Sequence, residues 1–418
     1  MKLSEVVFKV NTGADAIKRA PIVEKDTGVK CLRIGDISQK KKITQWGFTK
    51  VTPDVFEKFQ LKAGDIIIAR TGNTIGVNFF IEQDMPSVFN NGLIRIKVDK
   101  TKILPRFFYY LMQTVQFKNH ILSICFGTST QPNMQIDDLL FYEVDIPKLE
   151  TQVKVVSILK KIDDKIELNN QINETLESMA KAIFKEWFID FGPVKAKAEG
   201  KKPFGMDDET AALFPDRFEE SELGLIPSGW SINTIGESCD VLMGQSPPGI
   251  TYNENRDGVV FYQGRAEFGD RFPTARLYCT APTRQVKKGT ILLSVRAPVG
   301  DLNIATEEIC IGRGLAGLLH KVGGATYTYY LLSSFKGKFD MYNGEGTVFG
   351  SINKDTLANI KYASPPLDLM KKFLEITEPL DEQYLANFCE TNLLIQARDL
   401  LLPKLISGEL QLNEAISD

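Results

Sequence analysis

The segment LKAGDIIIARTGNTIG at 61–76 returns in altered form as VKKGTILLSVRAPVG at 286–300, about 225 residues further along the chain. Both copies begin with a glycine turn, continue with a short run of aliphatic residues, and end at a second glycine. Runs of this kind between glycines are typical of buried strands. The fold is therefore expected to rest on an internal repeat.

The repeat extends in both directions from this segment. Its further matches fall in the same order in the two halves, which makes chance improbable. A length of 418 residues also fits two or three domains at roughly 150 residues each. The matched pairs are LSEVVFKV (3–10) with IGESCDVL (235–242), RIGDI (33–37) with YQGRA (262–266), and FGTSTQPNMQIDDLLFYEVDIP (126–147) with EGTVFGSINKDTLANIKYASPP (345–366).

Each half has a Gly-punctuated region of short strand-like runs, followed by a long stretch with helical periodicity. This order predicts an α+β fold in which two long antiparallel, coiled-coil-like helices separate two β-rich domains, with an internal pseudo-two-fold repeat. The predicted boundaries are 1–149 for the first β-rich domain, 150–190 for the first helix, 191–225 for a polar linker, 226–366 for the second β-rich domain, 367–410 for the second helix and 411–418 for a tail.

The first helix is predicted from 150–190, which contains neither Pro nor Gly and carries apolar or small residues at spacings of three and four. Such spacing forms a packing seam. A shift of 218 residues gives a matching seam in the second helix. Pro379 interrupts that seam, so we expect a kink or a restart there. Pro403 is expected to end or bend the last turn.

Asn169 and Asn387 occupy equivalent positions on the two seams. One interpretation is that both belong to ordinary solvated turns. The other is that the two helices pair and that these side chains fix their register, as a buried Asn does in coiled coils.

The charge is small in total but unevenly distributed. Fifty Lys and Arg against 53 Asp and Glu give a net charge of -3, which by itself argues against a nucleic-acid partner. Residues 1–149, however, carry 21 basic and 15 acidic side chains, and 226–366 carry 14 and 12. The β-rich domains are thus net positive. The run Lys40, Lys41 and Lys42 is either a solvated loop or a set of phosphate contacts.

Polar and basic residues follow the repeated strands. Arg70 and Arg296 each follow a strand-like run, where an arginine could bind guanine in the DNA major groove or pair with a carboxylate such as Asp65 or Asp301. A second polar loop precedes each long helix, where its residues could equally cap a helix. The candidate DNA-binding residues are Arg33, Lys40, Lys41, Lys42, Arg70, Thr71, Asn73, Thr128, Ser129, Thr130, Gln131, Asn133, Arg265, Arg296, Arg313, Thr347, Ser351 and Asn353.

Catalytic patterns are weak. Two His and six scattered Cys without a CxxC disfavour zinc and disulfides. GRGLAG (312–317) matches a dinucleotide fingerprint, but no long helix follows it. SPPG (246–249) and SPPL (364–367) lack the aromatic residue of an amino-methyltransferase loop, and no P-loop occurs. We therefore expect no catalytic residue, metal or cofactor in this chain. The absence of a long apolar segment or signal-peptide core predicts a cytoplasmic protein.

The connector and the C-terminal segment resemble the DNA-specificity subunit of a type I restriction-modification system. The resemblance covers nearly the whole chain. Its segments are KAIFKEWFIDFGPVKAKAEG (181–200), LFPDRFEESELGLIPSGW (213–230), LLPKLISGEL (401–410) and the two glycine-led strand segments at 64–68 and 289–293.

The resemblance implies that 1–149 and 226–366 are target-recognition domains, each binding one half of a bipartite, asymmetric site in double-stranded DNA. The helices would form a spacer that docks two modification (methyltransferase) subunits, which would bind S-adenosylmethionine and methylate adenine N6. Restriction (motor and nuclease) subunits would use ATP and Mg²⁺ for cleavage. Two other classes remain open: a self-contained DNA methyltransferase or nuclease, and a DNA-binding adaptor without restriction partners.

Overall fold

The computed structural model describes residues 2–39, 41–72, 74–126, 134–296, 298–343 and 350–410. The chain forms two compact units, one reaching to Leu168 and including the segment from Glu390, the other spanning Asn169–Cys389. Each unit contains one β-rich domain and part of both long helices.

The first unit has eight short strands and six helices among its described residues. The strands are β1 (Val7–Thr12), β2 (Ile22–Val23), β3 (Lys30–Leu32), β4 (Phe48–Thr49), β5 (Ile66–Ala69), β6 (Asn78–Phe80), β7 (Ser87–Phe89) and β8 (Leu93–Val98). The helices are α1 (Ile34–Ser38), α2 (Pro53–Phe59), α3 (Pro105–Leu111), α4 (Val115–Phe126), α5 (Ile136–Leu140) and the long α6 (Leu149–Phe188), which continues into the second unit.

Two four-stranded sheets build this domain, in the orders β1-β8-β5-β6 and β2-β4-β3-β7. The run Ile66–Ala69 is buried at every position, because β5 is the inner strand paired with both β8 and β6. Its alternate residues face two different cores, as the period of two requires. A continuous apolar run is therefore the expected sequence for this strand.

The second unit repeats these elements and adds a pair of hairpin strands. Its strands are β9 (Phe218–Ser221), β10 (Gly224–Pro227), β11 (Ser231–Thr234), β12 (Cys239–Met243), β13 (Tyr252–Asn253), β14 (Val259–Tyr262), β15 (Leu277–Cys279), β16 (Gln285–Val286), β17 (Ile291–Val295), β18 (Val299–Ile304), β19 (Ile309–Ile311), β20 (Leu315–His320) and β21 (Lys361–Ser364). Its helices are α7 (Gly192–Ala198), α8 (Asp208–Ala212), α9 (Ile235–Ser238), α10 (Gly324–Ser334), α11 (Lys336–Asp340), α12 (Lys354–Ala358) and the long α13 (Leu367–Ser407), which continues into the first unit.

The topology confirms the internal repeat. The sheet β12-β20-β17-β18 has the order of β1-β8-β5-β6, and β13-β15-β14-β19-β16 extends the order of β2-β4-β3-β7 by one edge strand. In both second sheets the corresponding pair, β3 with β7 and β14 with β19, is parallel. The two β-rich domains are therefore copies of one fold.

Both long helices are present and each is continuous. Of the kink or restart predicted at Pro379, the restart is wrong, because α13 runs from Leu367 to Ser407; the kink stays a prediction. Pro379 and Glu375 are both exposed, so the Glu375 carbonyl that loses its N–H partner can be solvated. Pro403 does not end the helix either, since four residues follow it before the helix stops.

In each unit the two long helices pack against one another in antiparallel directions. In the first unit, Arg398 lies 3.0 Å from Asp163, and Lys165 lies 3.1 Å from Glu390. In the second, the rings of Phe184 and Phe373 are 5.5 Å apart, and the Asn387 side chain donates to Asn173 Oδ1 at 2.9 Å. No helix among the described residues is long and apolar enough to cross a membrane.

The segment predicted as a polar linker is folded. It contains α7, α8 and most of the β9–β10 hairpin. Val194 and Phe214 are buried in the main core of the second unit. The sequence prediction missed this because the apolar residues of the segment are few and lie between charged ones.

Candidate nucleic-acid interface

In the first unit, the segments that follow β1, β3, β5 and β7 meet at one edge of the domain. The Asn91 N–H donates to the Ala14 carbonyl at 2.9 Å. The Arg70 N–H donates to the Gly92 carbonyl at 3.0 Å. From the same turn, the Asn90 N–H donates to the carbonyl of Leu32, the residue before Arg33, at 3.1 Å. We call the resulting group the first rim; it consists of Ala14, Arg33, Arg70, Thr71 and Asn91.

The second unit repeats this meeting point with three matching backbone hydrogen bonds. The Gly312 N–H donates to the Tyr262 carbonyl at 2.8 Å, the Val295 N–H to the Gly314 carbonyl at 2.9 Å, and the Gln245 N–H to the Ile311 carbonyl at 3.0 Å. The bond from Ala14 to Phe89 in the first unit matches the last of these. We call this group the second rim; it consists of Gln245, Gln263, Val295, Arg296 and Arg313.

Two equivalent glycines permit the close crossing of segments at each rim. A Cβ on Gly13 would lie 2.2 Å from the Asn90 carbonyl oxygen, and one on Gly244 would lie 2.1 Å from the Gly312 carbonyl oxygen. Such distances are far inside van der Waals contact, so only glycine fits. A Cβ on Gly312 of the GRGLAG motif would likewise lie 2.8 Å from Gln263 Cα, which gives that glycine a packing role rather than a nucleotide-binding one.

The two rims give a residue-by-residue correspondence that corrects one step of the sequence argument. Arg70 and Val295 make the same two backbone bonds, one to the glycine turn and one from Met134 or Ile352. Thr71, not Arg70, therefore corresponds to Arg296. The apparent recurrence of an arginine after the repeated strand is not a recurrence at equivalent positions.

Side chains of the first rim have defined partners. Arg70 Nε donates to the Met134 carbonyl at 3.2 Å, while Asp65 pairs with Arg95 and Lys97 at 3.4 and 3.1 Å. The expected alternative of an Asp65–Arg70 pair is thus wrong. Arg33 is half-buried, with Nε 3.4 Å from Asp36.

Lys41 approaches the same Asp36 carboxylate, at 3.5 Å. It therefore lies beside Arg33 and keeps part of its surface in solvent. Lys42 is exposed at the start of a short 3-10 helix.

The second rim surrounds a small open cleft. Gln245, Gln263 and Arg313 are exposed and line a cavity of about 500 Å³ together with Ser246 and Tyr252. The Arg313 N–H donates to Ser246 Oγ at 3.3 Å. The cleft thus offers amide and guanidinium groups, all of which can bond to the edge of a base.

Two further arginines are sequence neighbours of second-rim residues: Arg265 lies two residues after Gln263, and Arg296 follows Val295. Arg265 pairs with Asp301, so Asp301 is not the partner of Arg296 that the sequence suggested. Arg296 is exposed and forms a bridge with Ser351 through the backbone.

Comparison with known proteins assigns the chain to a family. The family model described as type I restriction modification DNA specificity domain matches residues 1–178 and 227–387. The chain belongs to this family. Both β-rich domains are thus specificity domains, as the sequence resemblance implied.

Similar chains come from several organisms. A Methanocaldococcus jannaschii protein named as a specificity subunit of a type I restriction enzyme, MjaX, is 31% identical over 92% of this chain and 88% of its own length. The type I restriction enzyme HindI specificity subunit of Haemophilus influenzae is 27% identical over 84% and 88%. The crystal structure of a type I restriction-modification system S subunit from M. genitalium matches with a TM-score of 0.58 at 16% identity, covering 97% of this chain and 95% of that one. This last match concerns the fold alone.

Eight of the candidate DNA-binding residues of this specificity chain lie outside the described residues: Lys40, Asn73, Thr128, Ser129, Thr130, Gln131, Asn133 and Thr347. Of the polar loop before the second helix, Asn353 is described and caps α12, since its Oδ1 accepts the Thr356 N–H at 2.8 Å. The capping interpretation therefore holds for Asn353. The sequence argument did not find Gln245, Gln263 or Asn91, although the neighbouring Gly244, Gly312 and Gly92 marked these turns.

Asn169 and Asn387 of the specificity chain are both buried, so the interpretation as solvated turns is wrong. The partner of Asn387 is Asn173, whose Oδ1 accepts its side-chain N–H at 2.9 Å. Asn173 in turn donates to the Tyr384 carbonyl at 3.2 Å. The role of these residues in helix register stays a prediction.

A tyrosine–aspartate bond ties each specificity domain to a long helix. Tyr110 donates to Asp163 and Tyr330 to Asp381, both at 2.7 Å. Burial, with the neighbouring carboxylate, raises the pKa of both phenols, so they remain donors at neutral pH. The pairs occupy equivalent positions in the two units.

Among the described residues, no group of three or more His, Cys, Asp and Glu could hold a metal ion. His320 is buried, and burial lowers its pKa to about 4. Its Nδ1 accepts the Gly323 N–H at 2.8 Å, which fixes the neutral ring in a structural position between β20 and α10.

Proposed function

We propose that this chain selects a bipartite, asymmetric sequence in double-stranded DNA, with one rim contacting each half. The observation that supports the proposal is one backbone frame built twice with different side chains. Ala14, Arg33 and Asn91 of the first rim are replaced by Gln245, Gln263 and Arg313 in the second. Different hydrogen-bonding groups on the same frame favour different base pairs.

The exposed groups of the second rim suit base contact. A guanidinium such as that of Arg313 can bond guanine O6 and N7 together, and the amides of Gln245 and Gln263 can bond adenine N6 and N7. The half-buried Arg33 and exposed Asn91 offer the same chemistry at the first rim. Lys41 and Lys42, next to Arg33, are suited to phosphate, because basic side chains gain affinity by releasing counterions from DNA.

Membership of the family supports a proposal about the partners. We infer that two modification subunits dock on this chain, bind S-adenosylmethionine and methylate adenine N6 at the selected site. Restriction subunits would use ATP and Mg²⁺ to cleave DNA. In this division of labour the chain itself supplies DNA contacts and no catalytic group, and it works in the cytoplasm, where the chromosome lies.

Methylated-base sequencing of the host genome with and without this gene tests the proposal. We expect a two-part motif carrying N6-methyladenine that disappears when the gene is deleted. Methylation that persists unchanged, or a motif without a gap, would contradict it.

A second assay separates this function from that of a self-contained methyltransferase. The purified chain is incubated with DNA of the identified motif and labelled S-adenosylmethionine, with and without the modification subunit. We expect methyl incorporation only when that subunit is present.

A further inference from the structure

Each rim is bordered by a loop that carries a nearly fully exposed isoleucine. Ile17 is 84% exposed and lies three residues after Ala14; Ile250 is 94% exposed and lies five residues after Gln245. Both loops connect the first strand of the main sheet to the first strand of the second sheet, β1 to β2 and β12 to β13. The two isoleucines therefore occupy corresponding loops of the repeated domain.

Hydrogen bonds hold both loops in shape. In the first, Asp15 Oδ1 accepts the N–H groups of Ile17 and Lys18 at 3.0 and 2.7 Å. These two bonds lower the pKa of the Asp15 carboxyl, so it is ionised and keeps accepting at neutral pH.

In the second loop, a 3-10 turn spans Gly249–Thr251. Thr251 Oγ1 donates to the Pro248 carbonyl at 2.7 Å, and the Tyr252 hydroxyl donates to the Pro247 carbonyl at 2.8 Å. Both isoleucines are therefore exposed on loops that internal hydrogen bonds hold in shape.

A single exposed apolar side chain on a protein surface needs no explanation. The same residue type on the same loop of both domains, beside the groups that would contact bases, is a different observation. Lys18 and Arg19 follow Ile17 and are exposed, which places positive charge next to it. Gly249, the neighbour of Ile250, lines the cleft of the second rim. The surroundings of both side chains are thus suited to DNA rather than to an apolar protein partner.

We propose that Ile17 and Ile250 are apolar wedges that insert between two stacked base pairs at the border of each half-site. Proteins that bind the minor groove frequently insert an apolar side chain such as isoleucine between base steps in this way and bend the duplex. The inference rests on the proposed function, since it assumes that each rim faces its half-site. It adds a deformation of the DNA at two points, where the sequence of the step affects affinity without a base-edge hydrogen bond.

The test uses the full-length chain and DNA duplexes that contain the motif found by methylated-base sequencing. Each duplex carries one 2-aminopurine at the border of one half-site, and the fluorescence of this base rises when it unstacks. We expect wild-type protein to raise the fluorescence at both borders. Ile17→Ala should abolish the rise at the first half-site only, Ile250→Ala at the second only, each with a loss of affinity on the order of tenfold. Phe204→Ala, which removes a fully exposed apolar ring elsewhere, is the matched control and should change neither signal.

Three results would overturn the inference in distinguishable ways. Wild-type protein that binds the motif and a scrambled duplex equally would remove the proposed function and the wedge with it. Sequence-specific binding that both alanine variants retain in full would remove the wedge alone. A loss of affinity without a change in fluorescence would show contact on the groove surface and no insertion.

Discussion

Asn387 donates its side-chain N–H to Oδ1 of Asn173 at 2.9 Å, in the buried seam between α13 and α6 of the second unit. Together with the bond from Asn173 to the Tyr384 carbonyl, it joins two helices within a largely apolar core. Gln383 also donates to Asn387, at 2.8 Å, so the amide is bonded on both sides.

Asn387→Ala should destabilise the second unit by about 1–3 kcal/mol, because it leaves a buried amide without its partner. The double variant Asn173→Leu with Asn387→Leu should cost less than either single change, since no polar group is then buried alone. Chemical denaturation, with hydrogen exchange as the readout for the second unit, measures the free energy of unfolding of the single and double variants. Asn392→Ala, at an exposed position of the same helix, is the control. Strictly additive effects of the two leucines would show that the asparagines are not coupled.

Removing the partner of Arg271 should destabilise the second unit more strongly. Arg271 is almost fully buried, lies 2.6 Å from Asp381 and packs over the rings of Tyr329 and Tyr384. Asp381→Ala should cost about 3–5 kcal/mol, because it strands a buried guanidinium. The same change at the exposed Asp368, which pairs with Lys371 at 3.7 Å, should cost under about 1 kcal/mol. Equal losses in the two variants would contradict the importance of the buried pair.

Arg313→Ala tests base contact at the second rim. We expect a loss of about 1–3 kcal/mol in binding free energy at one half-site and relaxed discrimination at a single base pair there. Asn91→Ala should act in the same way on the other half-site. Fluorescence anisotropy with duplexes changed one base pair at a time measures this. Arg256→Ala removes the same charge from an exposed turn of the second unit and should leave discrimination intact. Uniform weakening by Arg313→Ala on every duplex would instead indicate phosphate contact.

Gly244→Ala should disrupt the second rim, since its Cβ would lie 2.1 Å from the Gly312 carbonyl oxygen. The backbone must then move apart and lose the bonds that join the segments. Gly337→Ala, on α11 of the same unit and outside the cleft, is the control, because nothing lies within 4 Å of a Cβ there. We expect loss of binding at one half-site for the first variant only, measured on the same set of duplexes. Intact recognition by Gly244→Ala would refute the need for this crossing.

His320 makes the second unit sensitive to acid. Burial lowers the pKa of His320 to about 4, below its unfolded value of about 6.5. The unfolded chain therefore binds the proton first, so this contribution to stability is complete above about pH 6.5 and is lost as the pH falls toward 4. NMR titration should show the ring neutral at pH 5.5. A midpoint near 6.5 would contradict the burial argument.

The sequence was sufficient to predict the repeat, the strand-rich domains and the two long helices, because each depends on local periodicity. It failed where tertiary contacts decide. Pro379 is tolerated because its turn of α13 is exposed, and this exposure is not visible in the sequence. Asn173 lies one turn from Asn169 on the same seam, so its position was detectable, but its partner across the helices was not.

The candidate site was only partly predictable for a related reason. Arg33, Arg70 and Arg313 were selected as basic residues in turns, and the structure assigns all three to the rims. Gln245 and Gln263 lie 18 residues apart in sequence. They line one cleft because the segments that follow β12 and β14 both hydrogen-bond to the glycine turn at 312–315. The offset between Arg70 and Arg296 is also visible in the sequence, since an alignment on Gly64 and Gly289 places Thr71 opposite Arg296, and the backbone bonds confirm it.

The glycine crossings at Gly13 and Gly244 have an evolutionary consequence. Each crossing is held by main-chain atoms, so the exposed side chains beside it contribute little to its stability. Point substitutions at Asn91, Gln245, Gln263 or Arg313 can accordingly accumulate without unfolding the domain. If the rims contact bases as proposed, a lineage carrying this scaffold can change its target sequence by point substitutions, one half at a time.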